Sequence, residues 1–233
     1  MIVAIIPARC GSKRIPQKNS KLFCGQPMLA YPIQMAIKSG CFDRVLVSTD
    51  DTEIAAIARE YGAEVLALRP AALADDHTGT SAVVRYELQQ LQQQGVTPEY
   101  CCCIYATTPL LSAELLMQAW QLLQAEASLN YVFSAARFSF PIQRALIKTE
   151  QGVAAFDPSS IGKRSQDLTP TYHDAGQFYF GRADAWLKSA PVFAAYSQML
   201  VLPDHLVQDI DTIDDWQRAE LLYKILQQES VIK

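Results

Sequence analysis

Two stretches of this 233-residue chain carry side chains dense enough for chemistry, one near each end. The first is Pro7-Ala8-Arg9-Cys10-Gly11-Ser12-Lys13-Arg14-Ile15-Pro16-Gln17-Lys18-Asn19. Between Arg9 and Lys21 stand five basic residues and no acidic one, in a chain of formal net charge −4. A local basic run in an acidic protein fits an anion site. A polyphosphate needs backbone N–H groups at close range and cations that spread over several oxygens. Gly11 lets the backbone approach, and Ser12 adds a hydroxyl. Arg9 offers a bidentate fork, while Lys13 and Lys18 offer point charges. The spacing matches neither a Walker A loop nor Gly-x-Gly-x-x-Gly. A solvated basic turn is the competing reading.

The second stretch is Gln208-Asp209-Ile210-Asp211-Thr212-Ile213-Asp214-Asp215. In extended backbone, residues two apart point the same way, so Asp209 and Asp211 face one cavity with Ile210 buried behind them. Converging carboxylates repel each other unless a cation lies beside them. Magnesium takes one or two carboxylates together with phosphate oxygens and water, so the pair is a candidate Mg²⁺ anchor. Asp-x-Asp by itself is a weak motif, and ordinary surface carboxylates remain the alternative. Thr212 and Asp215 read as a capping box for a last helix, with Asp214 at its positive end.

These residues need a scaffold, and the hydrophobic pattern supplies one. Residues 2–6 are continuously apolar and read as a buried strand. A helix over 27–39 follows, with Pro27 in its first turn, then a strand over 44–48. Asp50 and Glu53 read as a capping box for a helix ending near Tyr61 and Gly62. A third strand is expected over 63–68, then a helix over 80–94, a strand over 100–105, a helix over 112–126 and a strand over 131–135. This alternation predicts one α/β domain over 1–233: a Rossmann-like, mostly parallel sheet with helices on both faces. The basic loop then sits at the carboxyl end of the first strand, where such sheets bind ligands. The pattern breaks over about 138–171, which reads as an extended arm or hairpin. Strand-like segments return at 177–181 and 199–202, and a helix over 212–228 closes the chain.

Composition narrows the function. Half the residues are hydrophobic and about a fifth are charged, enough for a full core. The net charge argues against a nucleic-acid or anionic-membrane partner. No stretch reaches the about 18 consecutive apolar residues of a membrane span, and the start lacks a signal-peptide pattern. Six cysteines without metal or disulfide spacing point to reduced core residues and a cytoplasmic setting.

The first stretch resembles the N-terminal signature of the CMP-sialate synthetase family, roughly Ala-Arg-x-Gly-Ser-Lys followed by Lys-Asn, and all its fixed positions are present. The resemblance covers nearly the whole chain. It implies a CTP-dependent nucleotidyltransferase, with Arg9, Ser12, Lys18 and Asn19 on CTP and Lys18 near the reacting phosphate. The catalytic residues it implies are Arg9, Lys18 and Asp211, with Asp209 and Asp211 binding the catalytic Mg²⁺. Cys10 stands where many relatives carry glycine, which would be strained if the position needed positive φ. The segment Arg69-Pro70-Ala71-Ala72-Leu73-Ala74 resembles another family segment and implies that Arg69 and Thr80 lie near the cytidine. A polar loop fits Asp76, His77 and Thr78 equally well, with His77 a surface residue. In Asp174-Ala175-Gly176-Gln177-Phe178-Tyr179, an amide and a tyrosine suit a sugar, and the resemblance favours Gln177 and Tyr179. Strict alternation, however, cannot bring this whole segment to one site.

In the family the irregular arm belongs to a small dimerisation lobe that reaches the partner's site, so Arg164 is a candidate for the sugar carboxylate or the departing phosphates. The implied substrates are CTP and an acidic nine-carbon sugar, in a homodimer. Two departures from the sialic acid branch, Tyr105-Ala106-Thr107-Thr108-Pro109 and the segment from Asp174 to Tyr179, resemble a bacterial branch acting on pseudaminic acid. Tyr105 there sets an aromatic face where relatives have a glutamine, which suits a methyl-terminated sugar better than a hydroxylated one. N-acetylneuraminic and legionaminic acids are the alternatives within the family. A catalytically dead nucleotide-binding regulator is the alternative outside it, against which the intact Arg9, Lys18, Asp209 and Asp211 speak.

Overall fold

The computed structural model describes residues 1–75 and 78–228. Asp76 and His77, read above as loop and surface residues, lie outside the described residues, as do 229–233. The elements in chain order begin with strand β1 (Ile2–Pro7), a two-residue ladder of β2 (Leu22–Phe23) with β3 (Gln26–Pro27), helix α1 (Ala30–Ser39), β4 (Arg44–Ser48) and α2 (Thr52–Glu60). They continue with α3 (Thr80–Gln93), β5 (Tyr100–Ile104), α4 (Ala113–Ala125), β6 (Tyr131–Arg137), β7 (Leu146–Thr149) and β8 (Gly152–Ala155). The last are β9 (Tyr172–Arg182), α5 (Ala183–Leu187), β10 (Ser197–Val201) and α6 (Ile213–Gln228).

Six strands form one sheet in the order β10-β6-β9-β5-β1-β4. Every pairing is parallel except those of β9, which runs antiparallel to β5 and β6. The mostly parallel α/β sheet expected from the alternation is therefore present. Side-chain alternation splits its core. Ala4, Ile6 and Cys102 pack on one face with residues of α1, α2 and α4, while Val3, Ile5, Cys101 and Cys103 pack on the other with α3 and α5. The three adjacent cysteines are fully buried and free, and burial raises their thiol pKa values.

Three local expectations need correction. Helix α1 starts at Ala30, and Pro27 lies before it in the small β2–β3 ladder, not in its first turn. The cap of α2 is Asp51, whose carboxylate accepts from the backbone N–H groups of Glu53 and Ile54. Asp50 is drawn instead toward Cys10 and Arg69. No strand forms over 63–68; a single bridge joins Leu46 and Glu64, and Arg44 grips the Glu64 carboxylate with two N–H groups.

A third apolar cluster fixes the site's geometry. Ile15 from the basic loop, Phe23, Met28 and Tyr31 pack with Ile210, Trp216 and Ala219. Phe23 meets Tyr31 and Trp216 edge-on, with ring centroids 5.4 Å apart in each pair. Burying a side chain of this size contributes about 1.5–3 kcal/mol. The cluster thus anchors both ends of the sequence, the basic loop and the carboxylate pair, to one base.

Candidate active site

The basic loop leaves β1 at Pro7 and is held from three sides. Ala8 N–H donates to the Ser48 carbonyl at the end of β4. The buried Asn19 amide donates to the Arg9 carbonyl at 2.9 Å, closing the loop on itself. The backbone N–H of Cys10 donates to Asp50 at 3.1 Å and its thiol donates to the same carboxylate at 3.2 Å. That carboxylate also raises the Cys10 pKa, so the thiol stays protonated. Cys10 does not adopt positive φ; the left-handed position falls on Gln17, at φ 53°. Replacing glycine with cysteine at position 10 therefore causes no backbone strain here.

Arg9, Ser12, Lys13, Arg14, Lys18 and Asn19 line a hollow of about 360 Å³, so the loop gathers its cations around one space. Gly11 has open space where a Cβ would stand. Lys18 reaches across to the other end of the chain. Its ammonium donates to the Ile210 carbonyl at 2.5 Å and stands 3.8 Å from the Asp211 carboxylate. Desolvation lowers its pKa, and Asp211 and Asp209 pull it back up. Arg14 pairs with Asp211 at 2.7 Å.

Asp209 and Asp211 lie in irregular backbone ahead of α6, not in a strand, yet Ile210 is fully buried between them as alternation requires. Desolvation against the protein wall, then the charge of Asp211, raises the Asp209 pKa even though the residue keeps an exposed surface. The two carboxylates are thus in mutual repulsion, the donor arrangement a divalent cation relieves. Among the described residues no group of three or more His, Cys, Asp or Glu could hold a metal alone. A cation at this pair would complete its sphere with water or phosphate oxygens, as magnesium does. Asp215 accepts from the Thr212 N–H and its own N–H donates to the Thr212 hydroxyl, so the expected capping box is formed.

Two cavities continue from the loop. The first, of about 210 Å³, is lined by Arg9, Lys18, Asn19, Arg69, Thr80 and Tyr105 among others. Arg69 is buried, its Nε has no hydrogen-bond partner, and its guanidinium stands 3.8 Å from Asp50. The second, of about 380 Å³, is lined by Thr80, Tyr105, Asp174, Tyr179, Trp186 and Phe193 among others. Thr80 and Tyr105 belong to both. One cleft therefore runs from the cation loop past Arg69 to an aromatic chamber.

Most of the residues singled out in the sequence converge here: Arg9, Gly11, Ser12, Lys13, Lys18 and Asn19 on the loop, Arg69, Thr80, Tyr105 and Tyr179 in the cavities, and Asp209 and Asp211 opposite Lys18. Two do not. Gln177 is buried, its amide donates to the Leu206 carbonyl at 2.5 Å, and it lines neither cavity. Arg164 is exposed on the arm, bound to Asp167 at 2.8 Å. Asp174 joins the aromatic cavity although strict alternation sets it opposite Tyr179. The β6–β9 pairing shifts register between Phe133 and Ala135, and Gly176 takes φ 63°. Tyr179 can therefore donate its hydroxyl to Asp174. The Gly176 signal was present in the sequence, since an isolated glycine in a strand marks such a bulge.

A family profile described as Cytidylyltransferase matches residues 3–206. A pseudaminic acid cytidylyltransferase of Campylobacter jejuni is 46% identical over 224 residues, covering 96% of each chain. A CMP-N,N'-diacetyllegionaminic acid synthase of Legionella pneumophila is 30% identical over 238 residues, covering 99% of each chain. A solved CMP:2-keto-3-deoxy-manno-octonic acid synthetase complexed with CTP superposes with TM-score 0.70 at 15% identity, covering 98% of this chain and 99% of its own, which establishes likeness of fold. The profile match over most of the chain and the 46% identity across nearly all of it show that the chain belongs to the cytidylyltransferase family.

Proposed function

We propose that this protein transfers CMP from CTP to the anomeric hydroxyl of pseudaminic acid and releases pyrophosphate. The observation that carries the reading is the single cleft in which Thr80 and Tyr105 are shared between a cation-lined cavity and an aromatic one. That is the arrangement two substrates need if one is a polyphosphate and the other a sugar with apolar groups. The choice of sugar is supported by the relative named for pseudaminic acid at 46% identity, against 30% for the one named for legionaminic acid.

In this reading the triphosphate lies along the loop and the nucleoside against Arg69 and Thr80. The sugar oxygen forms a bond to the α-phosphorus, the bond from that phosphorus to the bridging oxygen breaks, and pyrophosphate leaves with the electron pair. Arg9, Lys13 and Lys18 stabilise the charge on the phosphate oxygens. Lys18 is fixed by the Ile210 carbonyl, so little reorganisation is needed at the moment of reaction. Asp209 and Asp211 would hold Mg²⁺, which when bound neutralises phosphate charge and makes a nearby hydroxyl more acidic. In this reading a carboxylate takes the hydroxyl proton through a water. Tyr105 and Tyr179 face the sugar.

A second copy of the chain covers the arm in this reading. Phe140 is 84% exposed and Val153 70% exposed, apolar surface that a two-fold contact would hide. The arm's hollow of about 590 Å³, lined by Arg137, Phe138 and Phe140 among others, is wider than either cavity of the cleft. It holds no cluster of cations and belongs with the contact, not the chemistry. No helix among the described residues is long and apolar enough to cross a membrane, and a reaction drawing on CTP is placed in the cytoplasm.

Mass spectrometry of products from CTP, Mg²⁺ and a panel of nonulosonic acids tests the reading. The CMP ester of pseudaminic acid together with pyrophosphate is the expected result. Tight CTP binding with no product from any sugar would leave a nucleotide-binding regulator instead.

A further inference from the structure

Three consecutive residues where β4 ends hold both the basic loop and Arg69. The Ser48 carbonyl accepts the Ala8 N–H at 2.9 Å, and the Thr49 carbonyl accepts the Arg69 N–H at 2.7 Å. Asp50 reaches both with one side chain. Its Oδ1 accepts the Cys10 N–H at 3.1 Å and stands 3.8 Å from Arg69 Nη2, while its Oδ2 accepts the Cys10 thiol at 3.2 Å. Arg9, next to Cys10, and Arg69 both line the first cavity, whereas Asp50 itself does not.

Charge explains why a carboxylate stands there. The Arg69 side chain keeps only 2% of its surface exposed, so water does little to screen its guanidinium. Burial lowers the Arg69 pKa, the charges of Asp50 and Glu87 offset this, and the charge of Arg9 adds to the lowering. A buried cation that loses its counter-charge is strongly destabilised. Two arginines on one cavity also repel each other. A carboxylate bonded to the turn after Arg9 and paired with Arg69 lets both stay. Helix α2 makes no demand on it, because Asp51 supplies the cap.

We propose that Asp50 is a positioning residue for the nucleotide, fixing the Arg69 guanidinium and the turn after Arg9 at one separation. The two arginines then meet the nucleotide already in place, with little reorganisation on binding. Charge alone gives the opposite expectation. Removing a carboxylate beside a polyphosphate site should tighten binding by lifting a repulsion. The sign of the effect therefore separates positioning from simple electrostatics. The inference rests on the nucleotide reading above.

Titration calorimetry of CTP with Mg²⁺ into the wild type, Asp50→Asn, Arg69→Gln and the double variant tests it, with circular dichroism to show that each folds. Asparagine keeps the shape and an acceptor for the Cys10 N–H, and removes the charge that faces Arg69. Asp50→Asn should weaken CTP binding roughly tenfold, the scale of a hydrogen bond to a charged group. In the Arg69→Gln background it should cost little further, because a residue acting through another is non-additive with it. Asp50→Ser takes its place in the cycle if Asp50→Asn does not fold. Alkylation of Cys10 by iodoacetamide, followed by peptide mass spectrometry, reads the hold on the loop. The bond to Asp50 is the main cause of the raised Cys10 pKa, so its loss should speed alkylation. CTP affinity unchanged or improved in Asp50→Asn, an equal loss with and without Arg69, or an unchanged alkylation rate would overturn the proposal and leave CTP binding standing. A wild type that does not bind CTP would instead remove the nucleotide reading itself.

Discussion

At the scale of single residues, the site is organised around unbalanced charge. Asp209 carries a carboxyl whose pKa is raised from the ordinary 3.8 by desolvation and by Asp211. Such a group is ionised at a cost in the folded protein. The cost is absent well below pH 3.8 and fully present above the raised folded value. Asp209→Asn should therefore leave the metal-free protein as stable as the wild type at pH 7, or slightly more so. It should also reduce the rise in Tm that Mg²⁺ gives the wild type, since a ligand bound only by the native state stabilises it. Asp211→Asn should lower turnover by roughly 100-fold or more, as expected when a group that stabilises transition-state charge is removed. Circular dichroism with thermal melts, followed by steady-state rates at saturating Mg²⁺, checks both. A melt lowered by several degrees in metal-free Asp209→Asn, or near-wild-type turnover in Asp211→Asn, contradicts the assignment. The loop and the Asp pair were legible in the sequence because each gathers charges of one sign within a short stretch. Asp174 and Gln177 were not legible, because the bulge beside Ser134 and Gly176 exchanges which residues of β9 reach the cleft.

At the scale of elements, the alternation of helix and strand follows directly from apolar periodicity, and the sheet confirms it. The failures fall where two neighbouring residues compete for one role or where one pair does the work of a ladder. Asp50 and Asp51 are equally good caps by type. Backbone geometry gives the cap to Asp51, and Asp50 turns back to hold Cys10. After α2, a single bridge and the Arg44–Glu64 pair replace the expected third strand. The hydrogen bonds from Arg44 are the main cause of the lowered Glu64 pKa, which starts from 4.5. For a carboxylate with a depressed folded pKa, the contribution to stability is present above 4.5 and is lost as pH falls through the folded value. The side chains keep 21% and 48% of their surface exposed, so screening limits the pair to about 0.5 kcal/mol. Arg44→Gln should lose roughly that amount in urea unfolding at pH 7. The gap should close in acid, below the Glu64 transition. A gap of equal size at pH 3 would show that packing, not the ion pair, joins these segments.

At the scale of the whole molecule, the described residues form a cleft and an arm that exposes apolar side chains. The arm was legible as a break in periodicity, but its hairpin, β7 with β8, has nearly all its side chains exposed, so neither strand shows the alternation that marks a half-buried strand. What the hairpin packs against cannot be read from pattern, because its partner surface is not in the same stretch of sequence. Light scattering should give a mass about twice the 25.9 kDa of one chain. Ile147→Asp with Val153→Asp in the hairpin should shift it toward the single-chain value, since two charges at an apolar contact carry a desolvation cost. A wild-type mass of one chain across a wide concentration range rules out the contact. The central claim is the pairing of donor and sugar in the cleft, and competition between pseudaminic acid and N-acetylneuraminic acid tests it most directly, with CTP and Mg²⁺ saturating. The account predicts a kcat/KM for pseudaminic acid at least about tenfold higher, the scale on which a site fitted to one small group discriminates against another. Equal or better kcat/KM with N-acetylneuraminic acid would contradict it.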